Sequence, residues 1–246
     1  MIYSYENSQR ADTCIEYLRG VDGVEKFDRI ILLPIPSTKD KKIIMHTKVG
    51  INEVIEQIYG KTLISSYGLD AALQRAFADA GAEVAELSDD EEFLLENADL
   101  TAMATLGIFL TSTKVSARDS RVGIVGYGRI GKRLVNQLLY LGADVRVFTS
   151  RADTRLDLGT YGVASVMSCA DADLSGLDLL INTAPAVIFS PGSIPSGLRI
   201  IDLASGENFP GVEGVERYPS IPARMFPISA GKVWGRALER HIVNIH

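Results

Sequence analysis

The chain has 246 residues, with 25 Lys and Arg against 31 Asp and Glu, a net charge of −6, and 46% hydrophobic residues. That is the balance of a globular protein long enough for two modest domains. It excludes a protein that binds nucleic-acid backbone, which needs a basic face, and no uninterrupted apolar run approaches the roughly 18 residues of a membrane span.

Met1 to Gly20 is polar and partly helical in pattern, and its first ten residues (MIYSYENSQR) lack a basic head followed by an apolar block. A cytoplasmic protein is expected. Cys14 and Cys169 belong to no CxxC or Cys/His cluster, so they read as small buried hydrophobes and no metal site is expected. Asp28 to Pro34 (DRIILLP) predicts a buried strand, Asn52 to Tyr59 a helix and Lys61 to Ser65 a second strand. Asp70 caps a helix to Ala80, Gly81 stops it, and Glu83 to Leu87 forms a third strand. Strand alternating with helix implies a mainly parallel sheet. An acidic surface helix over residues 89–97 leads into the apolar stretch Leu100 to Ser112, which serves as an interdomain helix.

The strand pattern restarts after Ser116 to Ser120. The expected fold is α/β: a small N-terminal α/β domain (1–98), an interdomain helix (99–118), a Rossmann doubly wound parallel sheet (119–228) and a C-terminal helix (229–246). That last helix is expected to pack back between the domains, with Trp234 in core or interface. Leu100 to Leu110 serve either the core or a homodimer contact.

Arg121 to Val125 (RVGIV) is an apolar strand, Gly126 to Gly131 (GYGRIG) matches GxGxxG, and Lys132 to Tyr140 continues as an amphipathic helix. Gly126 permits the tight turn, Gly128 lets backbone approach a pyrophosphate, and Gly131 lets helix and strand pack closely. A second strand, Asp144 to Thr149, comes next at the spacing of a βαβ unit, so the loop is expected to bind a nicotinamide dinucleotide through Gly126, Tyr127, Gly128, Arg129, Ile130 and Gly131. The second strand ends on no carboxylate for a ribose 2′-OH. Thr149, Ser150 and Arg151 stand there and suit a 2′-phosphate, which favours NADP over NAD. The alternative is a solvated Arg151, with Asp153 reaching the ribose. Three later strands, Gly162 to Met167, Asp178 to Asn182 and Leu198 to Asp202, complete the sheet. Asn182, Thr183 and Pro185 (in NTAP) and Asp202 and Ala204 (in DLAS) therefore fall at the ligand edge, either as cofactor contacts or as capped turns.

Taken in order, LPIPST (33–38), ISSYG (64–68), NADLT (97–101), the glycine loop, INTAP (181–185), IDLAS (201–205) and IPARMFPISAG (221–231) resemble the family of dipicolinate synthase A subunits. That family is related in architecture to D-2-hydroxyacid dehydrogenases. The resemblance implies two α/β domains with a cleft, and a flavoprotein-like B partner. It implies NADP-dependent oxidation of a dihydro or hydroxytetrahydro precursor to dipicolinate, a small dicarboxylate. Ser37, Thr38, Ser65, Ser66 and Arg224 are the candidate carboxylate anchors. Each hydroxyl fits a turn or helix cap equally well. Asn97, Thr101 and Arg224 are the candidates for catalysis. The family typically carries a glutamate where this chain has Met103, and many members a Lys-Thr pair at Ile228 and Ser229. A D-2-hydroxyacid dehydrogenase would need an imidazole near the substrate, and His46, His241 and His246 are poorly placed for it. An NADP-binding regulatory or scaffold subunit is the other alternative.

Overall fold

The structure, a computed structural model, describes residues 1–244 except 153, 155–157, 159–162, 164, 168 and 170–171. The chain divides into two compact units, Met1–Asn97 with Pro222–His246, and Ala98–Ile221.

The first unit is built on β1 (Ile2–Ser4), β2 (Arg29–Leu32), β5 (Thr62–Ser66) and β6 (Ala82–Glu86), parallel throughout in the order β1-β2-β5-β6. Strands covered on both faces read as unbroken apolar runs, and Ile30 to Leu33 and Leu63 to Ile64 are all buried. Helix α1 (Gln9–Leu18) is capped by Ser8, whose side chain accepts from Ala11 N–H, and α3 (Ala71–Asp79) by Asp70 in the same way from Leu73 N–H. Ile31, Ile64 and Phe77 share one core with Val54 of α2 (Ile51–Ile55). The short antiparallel pair β3 (Thr38–Lys39) and β4 (Ile43–Ile44) and the strand β1 lie in stretches where no strand is predicted.

The helix assigned to residues 99–118 is instead the later part of one continuous helix, α4 (Glu91–Ser112). The acidic stretch and the apolar one are a single element because Asp90 caps it: Phe93 N–H donates to its Oδ1 at 2.9 Å, and no proline or glycine pair interrupts the helix between there and Ser112. By length and composition alone α4 could cross a bilayer. Ala102 and Phe109 are instead buried in the core of the second unit.

Arg224, a candidate carboxylate anchor, sits on the short helix α6 (Ile221–Met225). The final helix, α7 (Pro227–Asn244), belongs to the first unit. Trp234 is fully buried there, donating from Nε1 to Ser65 Oγ at 2.7 Å, with the Arg10 guanidinium 5.5 Å from its ring centroid. Two glycines one helical turn apart seat α7 on α1. A Cβ on Gly231 would fall 2.5 Å from Arg10 O, and one on Gly235 2.5 Å from Tyr17 Cδ1.

In the second unit β7 (Arg121–Val125), β8 (Asp144–Phe148), β9 (Ser165–Met167), β10 (Leu179–Asn182), β11 (Arg199–Asp202) and β12 (Val215–Arg217) form one parallel sheet ordered β12-β11-β10-β7-β8-β9. The chain winds outward from β7 to β9, then returns to β10 and winds the other way. This is a doubly wound Rossmann-type α/β sheet whose direction switches between β7 and β10. Helix α5 (Arg129–Tyr140) buries Leu134, Val135 and Leu138 against Val122, Ile124 and Val147 on one face. Val125, Phe148, Leu180 and Ile200 form a core on the other. Each such side chain is worth about 1.5–3 kcal/mol of burial. Gly162 and Ala164 of the predicted strand 162–167 lie outside the described residues. Strand β12 extends the sheet beyond the predicted strands.

Candidate dinucleotide site

The carboxyl ends of β7 and β10 lie side by side at the switch point, where an open α/β sheet takes its ligand. Gly126 follows β7 with φ of 88°, a left-handed conformation that glycine adopts without strain. A Cβ there would also meet Thr183 Oγ1 at 2.7 Å. Gly131, on the first turn of α5, faces the carbonyl of Gly126 so closely that no side chain fits.

Gly128 differs from both, since a Cβ built on it meets nothing within 4 Å. Among the described residues no atom accounts for a glycine at this exposed position. It precedes α5 as an N-cap with no side-chain hydrogen bond, and the first turn of the helix carries no acidic residue. Arg129 and Lys132 occupy that turn instead, where cations oppose the helix dipole unless an anion joins them. The helix dipole, the N-cap without a side-chain hydrogen bond and the open face together fit a phosphate group. Tyr127 and Ile130 are partly buried and anchor the turn to the core beneath, while Arg129 accepts at its carbonyl from Arg133 Nη1 at 3.0 Å. Arg133 in turn pairs with Asp99 of α4.

At the end of β8, Thr149 is buried and its Oγ1 accepts from Arg151 N–H at 3.3 Å. Ser150 and Arg151 are exposed just beyond it. Asp153, the competing ribose partner, lies outside the described residues.

The later strand ends build the opposite wall. Thr183 Oγ1 donates to Val125 O at 2.8 Å, directly before the glycine turn. Asn182 is buried and bonded within the protein: Nδ2 donates to Asp202 Oδ1 at 2.8 Å and Ala184 O at 3.0 Å, while Oδ1 accepts from Ala184 N–H at 3.1 Å. Asp202 is likewise buried and takes Ala204 N–H at 3.2 Å. Asn182 and Asp202 thus brace the wall, and Pro185 is exposed on it. Asn208, a buried residue that the sequence did not single out, donates to both oxygens of Asp202.

In the first unit three of the four candidate hydroxyls are engaged internally. Ser37 Oγ accepts from Tyr67 N–H at 2.7 Å, Ser65 Oγ takes the indole N–H, and Ser66 Oγ donates to Glu86 Oε2 at 2.7 Å. All three are fully buried, so they hold the strand ends together rather than stand ready as carboxylate anchors. Thr38 is partly exposed in β3. Glu86, also missed by pattern reading, gathers Ser66, Gly68, Leu69 and Ser88 around one carboxylate.

No family model matches the chain. The A subunit of dipicolinate synthase from Bacillus subtilis (strain 168) is 22% identical over 231 residues, covering 87% of this chain and 78% of the relative. The solved structures of that subunit from Bacillus halodurans and Bacillus subtilis superpose with TM-scores of 0.77 and 0.78, at 20% and 19% identity, over 99% of this chain and 97% and 96% of theirs. The chain resembles the dipicolinate synthase A subunits. Their two-part α/β fold is thereby shared, and a transhydrogenase of Sinorhizobium meliloti has it too, with a TM-score of 0.63 and 17% identity over 98% of this chain and 93% of its own.

Met103 is 51% exposed on α4 and Ile228 is 52% exposed on α7, the two positions where the resemblance implied a glutamate and a lysine. Asn97 is half-buried and Thr101 buried on α4, with Thr101 O accepting from Thr105 Oγ1 at 2.8 Å. Arg224 is exposed on α6.

Proposed function

We propose that this chain is a cytoplasmic, NADP-dependent oxidoreductase of the dipicolinate synthase A kind, oxidising a dihydro or hydroxytetrahydro precursor to dipicolinate beside a flavoprotein-like B subunit. The observation that carries the cofactor half is the open face of Gly128 at the uncapped, acid-free start of α5. A nicotinamide dinucleotide bound there would supply the hydride acceptor. The first N–H groups of α5 hold its pyrophosphate. Ser150 and Arg151 take the 2′-phosphate, the guanidinium matching it by charge and planar donors. Thr183 and Pro185 wall the nicotinamide side. For the substrate, Arg224 is the proposed anchor of one carboxylate, with Asn97 and Thr101 as the polar groups of α4.

One feature favours a second reading. Exposed Met103 and Ile228 replace the ionisable groups that would move a proton or hold a second carboxylate, as suits a nucleotide-sensing subunit without chemistry of its own. The two readings part in one assay: the product of dihydrodipicolinate synthase plus NADP, with and without a B subunit, followed by NADPH and dipicolinate absorbance. The synthase reading expects both signals to rise together. Measurable NADP binding with no turnover in either arm assigns the sensor. The choice of cofactor has its own test, because Arg151→Ala is expected to weaken NADP about tenfold or more while leaving NAD affinity nearly unchanged. Equal losses would remove Arg151 from the 2′-phosphate.

A further inference from the structure

Within the wall formed by β10 and β11 lies a buried carboxylate whose hydrogen-bond partners among the described residues are all amides. Asp202 is 2% exposed and, among the described residues, has no ion pair. Asn182 Nδ2 reaches its Oδ1 at 2.8 Å, Ala204 N–H reaches the same oxygen at 3.2 Å, and Asn208 Nδ2 lies 3.3 Å from Oδ1 and 3.1 Å from Oδ2. A buried carboxyl group is costly unless its oxygens are hydrogen-bonded, and here both are. Asn208 is itself 3% exposed, and its amide nitrogen also lies 3.3 Å from Ser205 O.

The bonds run on toward the ligand edge. Asn208 holds Asp202, Asp202 holds Asn182, and Asn182 grips the peptide groups of Ala184 through both its amide atoms. Between Asn182 and Ala184 sits Thr183, whose hydroxyl and N–H both donate to Val125 O, at 2.8 and 2.9 Å. The turn that faces the glycine loop is therefore set through Asp202 by Asn208, a residue of the segment after β11.

We propose that Asn208 is a positioning residue for the dinucleotide, fixing through Asp202 the turn Asn182–Ala184 that walls the site opposite Gly126. This rests on the cofactor reading above. The role needs a donor without charge: an amide satisfies both oxygens of Asp202 and leaves the wall's net charge unaltered. A carboxyl in its place would stand about 3 Å from Asp202, and two carboxylates so close hold a proton between them. While protonated, the introduced acid donates to Asp202 as the amide did. Once both are ionised, they repel.

The test is calorimetric NADP titration of the full chain from about pH 5 to about pH 8, on wild type, Asn208→Ala and Asn208→Asp. Circular dichroism and thermal melting accompany each pH. Asn208→Ala is expected to bind about tenfold more weakly, the scale of a lost hydrogen bond to a charged group. Asn208→Asp is expected to bind nearly as wild type at the acid end and progressively more weakly as pH rises, while staying folded throughout. Wild-type affinity in Asn208→Ala, or a loss in Asn208→Asp that is the same at every pH, overturns the positioning role and leaves the cofactor reading standing. Unfolding of both variants at every pH makes Asn208 a purely structural residue and also overturns it. A wild-type chain that binds no dinucleotide overturns the cofactor reading itself.

Discussion

Gly128 and Gly131 belong to one motif but answer to different partners, and substitution separates them. A methyl on Gly131 collides with the Gly126 carbonyl, whereas one on Gly128 meets no atom of the described residues. Gly131→Ala is expected to destabilise the chain by about 1–3 kcal/mol. Gly128→Ala should leave stability within about 0.5 kcal/mol of wild type yet weaken dinucleotide binding about tenfold or more. Urea unfolding and a binding isotherm on the two variants check this. Loss of stability in Gly128→Ala would show that its open face has been misjudged. The motif was legible because its three glycines act within six consecutive residues. The hydroxyls were not: Ser65 pairs with Trp234, 169 positions away, and Ser37 with Tyr67, 30 away. A hydroxyl at a strand end has the same local pattern whether it binds a ligand or a distant indole. Asn208 and Glu86 escaped notice for the same reason, since nothing in their neighbourhood of sequence announces a buried network.

Among the elements, the pairing of α1 with α7 depends on two missing side chains. Gly235→Ala would push a methyl into the Tyr17 ring, and the ring is already tied by its hydroxyl to Glu239 Oε2 at 2.5 Å, so it cannot swing away freely. A cost of about 1–3 kcal/mol in denaturant unfolding is expected; an unchanged midpoint would mean the helices slide apart without penalty. Long apolar strands such as Ile30 to Leu32 and the amphipathic α5 were plain from periodicity. Strands β3 and β4, of two residues each, carry too little pattern to detect. Strand β12 is an edge strand with the half-exposed sequence Val-Glu-Arg, held in part by the Glu216 pair with Arg199 at 2.5 Å. Its polarity hid it.

At the scale of the whole molecule, acid is expected to weaken both units. Burial pushes the Glu6 carboxyl up, but hydrogen bonds from Arg10 and Ser8 and the Arg10 charge outweigh it, so it titrates below the ordinary range. In the second unit the Arg199 hydrogen bonds depress Glu216 likewise. A carboxylate depressed in the folded state adds stability above its unfolded pKa and loses that contribution as pH falls through the folded value. Unfolding midpoints should therefore hold steady near neutrality and decline below about pH 4. A midpoint that rises on acidification would contradict both assignments. The two units also differ in how they are drawn from the chain. Residues 98–221 are contiguous, so that fragment is expected to melt cooperatively and bind NADP by itself, while residues 1–97 without 222–246 should stay largely unfolded and leave Cys14 open to thiol reagents. In the intact chain burial raises the Cys14 thiol pKa and keeps it unreactive.

The return of α7 to α1 sets an order of events at the ribosome. Domains ordinarily mature from the N-terminus as synthesis proceeds. Here the middle of the polypeptide can close its sheet first, while the opening strands wait, their crossing groove for α7 still bare, until the segment bearing Trp234 emerges. Residues 1–97 are translated before residues 98–221 but completed after them, and for that interval they are exposed surface that chaperones would meet.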